Sequence, residues 1–154
     1  MGEEVDRVEV WKSLVDFWRN AYSLADRNLS SLGVSMLQYK TLSHLMELGG
    51  APMAKLASMN FVTQGWMTSV IDSLEENGLA ERVRSRDDRR IINVQITEKG
   101  RLLFTEASKL HTSSVKNILR PLSDLEVSTF YTILMKLNAN EIQTKEENNP
   151  PYND

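Results

Sequence analysis

The sequence predicts a mainly α-helical fold carrying one small β-hairpin near its centre. Three observations predict it. Apolar residues recur at helical spacing on both sides of the middle. Strict alternation appears at Ile92, Val94 and Ile96, with Asn93 and Gln95 between them. A run too charged for a core, Arg86-Asp-Asp-Arg-Arg90, sits just before that alternation and predicts a hairpin tip.

In chain order, the first helix is expected from about Val8 to Leu29, with Trp11, Leu14, Val15, Trp18, Tyr22, Ala25 and Leu29 on one face. Leu32-Gly33-Val34 breaks that pattern. Ser35 and Gln38 have capping-box spacing and open a second helix, whose buried side includes Leu37, Leu42, Leu45 and Met46. Gly49-Gly50 stops it, and Pro52 stands at the next helix start. A short helix follows from Met53 to about Met59. Asn60 is expected to make the bend after it, because Asn tolerates left-handed backbone geometry. Thr63 is the N-cap candidate of a helix with Met67, Val70, Ile71 and Leu74 inward, ending at Asn77-Gly78. Two strands, about Ala80–Ser85 and Ile92–Ile96, form the hairpin. Thr97 caps a long helix that Pro121 ends. Ser123 and Glu126 make a second capping box and open the last helix. The centre therefore reads as helix-turn-helix followed by a two-stranded wing.

Composition narrows the function. The chain of 154 residues has the size of one domain, too small for a large two-lobed enzyme. The absence of Cys excludes disulfides, thiol catalysis and thiol redox sensing. His44 has no metal-ligand partner at helical spacing, so no metal site is expected, and no cofactor either. There is no phosphate-binding glycine loop, no nucleophile beside a base and no clustered carboxylate pair, so no enzyme is expected. The start of the chain is acidic and leads into no apolar signal core, and no apolar run approaches membrane-spanning length; the expected location is the cytoplasm.

The net charge of −3 argues against a nucleic-acid binder, but it hides an asymmetry. Arg82 to Arg90 holds five Arg and two Asp, a local balance of +3, between two acidic chain ends. A helix-turn-helix directs the first residues of its second helix at base edges in the major groove. Here those are Thr63, Gln64, Gly65, Thr68 and Ser69. Gln can pair with adenine, Thr and Ser with several bases or phosphate, and the glycine permits close approach. The bland alternative is a solvated helix start. The hairpin tip, with Arg86, Arg89 and Arg90 beside Asp87 and Asp88, suits an adjacent minor groove, whose negative potential attracts arginine. From Lys55 to Arg82 there is no intervening Lys or Arg, while Asp72, Glu75 and Glu76 are acidic. The wing, with Lys40, Lys55 and Arg84, is therefore expected to supply most phosphate neutralisation.

Three stretches carry a resemblance: Leu74-Glu-Glu-Asn-Gly-Leu-Ala-Glu-Arg82, Arg84-Ser-Arg-Asp-Asp-Arg-Arg90 and Ile96-Thr-Glu-Lys-Gly100. Together, in this order and spacing, they resemble the MarR family of winged helix-turn-helix transcription regulators. The resemblance implies a winged helix-turn-helix flanked by dimerisation helices. Residues 1–31 would be an N-terminal dimerisation helix, 32–100 the DNA-binding lobe, 101–142 the C-terminal dimerisation helices and 143–154 a flexible polar tail. It implies that Asp88 pairs with Arg90, that Arg90 enters the minor groove, and that Arg89 touches backbone or groove edge. It implies a homodimer on a pseudo-palindromic operator of double-stranded DNA, acting as a repressor, with release by a small aromatic or anionic effector. Candidate effector-binding residues are Trp18, Tyr22, Tyr39 and His44; Met36 and Trp66 could join them. Trp11, Trp18, Phe130 and Ile133 are candidates for the dimer seam. The alternative function is a winged-helix protein-interaction module with weak or no DNA binding.

Overall fold

The structure is a computed structural model that describes residues 5–84 and 92–139. The chain divides into two compact units, Met1–Ile118 and Leu119–Asp154. In the first lie α1 (Arg7–Ser30), α2 (Met36–Leu48), β1 (Ala51–Pro52), α3 (Met53–Met59), α4 (Gln64–Glu76), β2 (Ala80–Arg84), β3 (Ile92–Ile96) and α5 (Glu98–Leu119), whose last residue crosses the boundary. The second holds α6 (Asp124–Ala139). No helix among the described residues is long and apolar enough to cross a membrane.

The caps start the helices where the side chains demand. Ser35 and Gln38 close the expected box: the Gln38 amide N–H donates to Ser35 Oγ at 3.2 Å, and the Ser35 N–H donates to Gln38 Oε1 at 2.8 Å. Asp26 on α1 adds a long-range contact, accepting the Met36 N–H at 2.6 Å, so one more free donor of α2 is satisfied. Gly49 ends α2 in the left-handed region at φ 68°, where a Cβ would be strained.

One core serves the central elements. Leu29 of α1, Leu42 and Leu45 of α2, Leu56 of α3, Met67, Ile71 and Leu74 of α4, and Val94 of β3 are fully buried. Burying a side chain of this size contributes about 1.5–3 kcal/mol relative to leaving it in water. The apolar stripe of α1 is divided: Ala25 and Leu29 enter this core, while Trp11, Val15, Trp18 and Tyr22 remain exposed.

Two expectations need correction. The wing is part of a three-stranded antiparallel sheet of order β1-β3-β2, not a two-stranded one. Ala51 pairs with Val94 and Pro52 with Asn93, and Pro52 also serves as the N-cap of α3. A two-residue strand has no period to read. The bend after α3 is made by Phe61, not Asn60: Phe61 has φ 56°, whereas Asn60 has φ −94°. Asn60 is buried and its amide donates to the Leu56 carbonyl at 2.9 Å, so it is committed to closing α3. The left-handed residue falls one place later. There the Phe61 N–H bonds Ser58 O and the Val62 N–H bonds Ala57 O, which is the Schellman pattern.

The same termination recurs after α4, where the Gly78 N–H bonds Glu75 O and the Leu79 N–H bonds Leu74 O. The start of α5 is fastened onto this corner. Thr97 Oγ1 donates to Gly78 O at 2.7 Å and accepts the Gly100 N–H at 3.0 Å. Lys99 Nζ reaches Asn77 O at 2.7 Å. A Cβ on Gly100 would lie 2.0 Å from the Leu79 carbonyl oxygen, so only glycine fits. The end of α4, the sheet and α5 are thereby held as one body.

Candidate nucleic-acid interface

The opposite side of α4 from the core is a solvent-facing stripe. Gly65, Thr68, Ser69 and Asp72 follow one another at helical spacing, and all four are exposed. Thr63 begins the helix as expected, its Oγ1 accepting the Trp66 N–H at 3.2 Å. A Cβ on Gly65 would meet nothing within 4 Å, so the backbone there is open to whatever approaches. The hydroxyl protons of Thr68 and Ser69 are directed at their own helix, to Gln64 O at 2.9 Å and Gly65 O at 3.4 Å. Both oxygens keep acceptor capacity. The exposed Gln64 amide, with no such internal bond among the described residues, is the freest polar group of the stripe.

Lys55 is exposed on α3 and Arg84 at the end of β2, where it pairs with Ile92. Arg86, Asp88, Arg89 and Arg90 lie outside the described residues. Arg82 has a different place from the one its sequence context suggests. Its guanidinium donates to Asp72 Oδ1 at 2.6 Å and is ion-paired with Glu75 Oε2, while its backbone N–H donates to Glu75 Oε1 at 2.8 Å. The hydrogen bond that Arg82 donates to Asp72, with the charge of Glu75 behind it, raises the Arg82 pKa above its ordinary value despite partial burial. One of the five arginines counted into the basic run is thus neutralised by two acids of α4. Those acids, ten and seven residues away in sequence, carried no mark of the pairing.

Sequence reasoning also missed two exposed aromatic side chains beside the stripe. Trp66 is 60% exposed and Phe61 is 92% exposed. Trp66 was a candidate for an internal cavity, but it falls off the Met67, Val70, Ile71, Leu74 spacing, and that phase was the available signal.

Among the described residues, the ring contacts of the four effector candidates fall into separate groups. Trp18 and Tyr22 contact each other at 6.1 Å between ring centroids on the open part of α1. Partial burial, then the nearby Asp26 charge, raises the Tyr22 pKa, so its hydroxyl stays neutral. Tyr39 instead stacks on Phe104 at 5.5 Å and meets His111 at 5.0 Å, its hydroxyl 3.3 Å from Ser108 Oγ. Among the described residues no ring contact joins these two groups, and none involves His44. Both His44 ring nitrogens are buried without a hydrogen-bond partner. A cleft of about 380 Å³ by Gly33, Leu79, Lys99 and Glu106 includes none of the four. Among the described residues no three acidic or His side chains gather as a metal site.

Comparison with known proteins adds the following. The sequence model of the MarR family matches residues 34–92. The chain is 27% identical over 130 residues to the HTH-type transcriptional regulator MhqR of Bacillus subtilis, covering 83% of this chain and 90% of that protein. The crystal structure of the transcriptional regulator BldR from Sulfolobus solfataricus superposes with a TM-score of 0.75 at 28% identity, covering 90% of this chain and 99% of BldR. A mutant MarR from E. coli complexed with operator DNA shares the fold, with a TM-score of 0.75 at 21% identity, covering 84% of this chain and 94% of that one.

Proposed function

We propose that the chain is a winged-helix transcription regulator of the MarR family that binds operator DNA as a homodimer. Residues 32–100 form the DNA-binding lobe, and residues 1–31 and 101–142 supply the dimer contacts. The N-terminal part of α4 lies in the major groove, with Gln64, Gly65, Thr68 and Ser69 toward base edges. Lys55 and Arg84 neutralise phosphates, and Arg86, Arg89 and Arg90, the last oriented by Asp88, serve the minor groove. The observation that carries this reading is the open stripe at a capped helix start whose other face is core. The operator is pseudo-palindromic, the outcome is repression, and a small aromatic or anionic effector releases the DNA. The unpartnered nitrogens of His44 and the half-buried Tyr39 are its best-supported contacts.

A salt titration on duplex DNA from the protein's own upstream region tests the proposal. Binding should weaken steeply with salt. Arg90→Ala should lower affinity about tenfold and flatten the salt slope by about one charge. One observation favours a second reading, a protein-interaction module: α4 carries no Lys or Arg and is flanked by the open rings of Phe61 and Trp66. No binding to any duplex at low salt would select it.

A further inference from the structure

We infer that Arg82 is a positioning residue for DNA binding: it screens the Asp72 carboxylate on the groove-facing stripe of α4, without contacting the duplex itself. The inference rests on the DNA-binding reading above and goes beyond it.

Asp72 continues the line Gly65, Thr68, Ser69 two turns from Gly65, about 10 Å along the axis at ~1.5 Å per residue. A helix that approaches a duplex by this stripe brings a carboxylate toward a polyanion. Like charges set against each other across an interface suppress binding. Half of the Asp72 side chain is exposed (51%), so burial does not hide its charge. Arg82 does. It reaches over from β2, donates to Asp72 Oδ1 at 2.6 Å, and is itself only 27% exposed. Its position is fixed from below by Glu75, which takes both its guanidinium and its backbone N–H. The guanidinium fork suits this double engagement, because planar donors can serve two carboxylates at once. The wing strand therefore delivers a cation whose task is to offset the Asp72 charge where the recognition helix meets DNA. On removal of Arg82, Glu75 keeps its backbone bond, whereas Asp72 has no other ion-pair partner among the described residues.

A charge cycle tests this with a duplex selected by the wild-type protein from a randomised pool, and a scrambled duplex as control. Arg82→Gln should weaken binding roughly tenfold or more at low salt. Adding Asp72→Asn to Arg82→Gln should restore affinity to within about threefold of wild type, and Asp72→Asn alone should bind at least as well. Arg82→Lys, which keeps charge but lacks the fork, should fall between. Glu76→Gln, about 6 Å nearer the helix C-terminus, should change little. Thermal melting of each variant separates a folding defect: a purely structural Arg82 gives melting losses that Asp72→Asn does not repair, and binding that tracks them. A double variant that binds as poorly as Arg82→Gln overturns the inference, because Arg82 would then touch phosphate directly or act through stability. A wild-type protein that binds no duplex overturns the DNA-binding reading and this one with it.

Discussion

Phe61 occupies a backbone conformation that costs an L-residue roughly 1–2 kcal/mol, and its ring is almost wholly in water. The backbone bonds that end α3 need that conformation but not the ring, which is 92% exposed. Phe61→Gly should therefore raise stability by ~0.5–1 kcal/mol, the relief of strain less the extra chain entropy of glycine. A denaturant melt checks it; an unchanged or lower midpoint would mean that the ring stabilises the turn. If the same variant also binds DNA more weakly, the ring belongs to the interface. Single residues were the least legible scale. The motif glycine at 100 was visible in the sequence, but its reason, the Leu79 carbonyl against its Cα, required the fold. The displacement of the bend from Asn60 to Phe61 turned on whether one amide was buried, which one-dimensional propensity does not encode. The pairing of Arg82 with Asp72 and Glu75 depends on the register of a strand beside a helix.

At the scale of elements the sequence was far more readable, because caps and periods are local. Ser35, Thr63, Thr97 and Ser123 start helices where their side chains predicted. What escaped was β1, whose two residues owe their strand to β3 and not to themselves. The capping box of α6 makes a pH prediction. Hydrogen bonds from the Ser123 hydroxyl and backbone N–H hold the Glu126 pKa below its ordinary 4.5. A carboxyl with a lowered folded value contributes stability that is complete above about 4.5 and is lost as pH falls through the folded value. The first turn of α6 should therefore fray only in acid below that range. Carboxyl NMR should show Glu126 titrating below 4.5, and Ser123→Ala should return it toward that value. An unmoved midpoint in the variant would show that the hydroxyl contributes nothing.

The whole molecule leaves apolar surface that a single chain does not cover. On α1, Trp11 and Trp18 are each 65% exposed; on α6, Leu125, Tyr131, Ile133 and Leu137 are at least half exposed, and no residue of that helix is buried. On each helix taken by itself, apolar area of this extent marks a face suited to association. The periodicity of these helices was legible, but which of their faces stay uncovered was not: the α1 stripe reads as continuous although only its last two members reach the core. A two-fold pair would set two α4 helices about 34–36 Å apart, one DNA turn. Each half-site then raises the effective concentration of the other. A Trp11→Glu, Ile133→Glu double variant should fold, since both side chains are already in water, yet sediment at half the wild-type mass. It should lose about 100-fold in affinity for a full palindrome while binding an isolated half-site nearly as wild type does. Loss at both sites alike would point to damage within the DNA-binding lobe. A monomeric variant that held the full palindrome at wild-type affinity would show that symmetry contributes nothing to recognition, and that one stripe and one wing suffice.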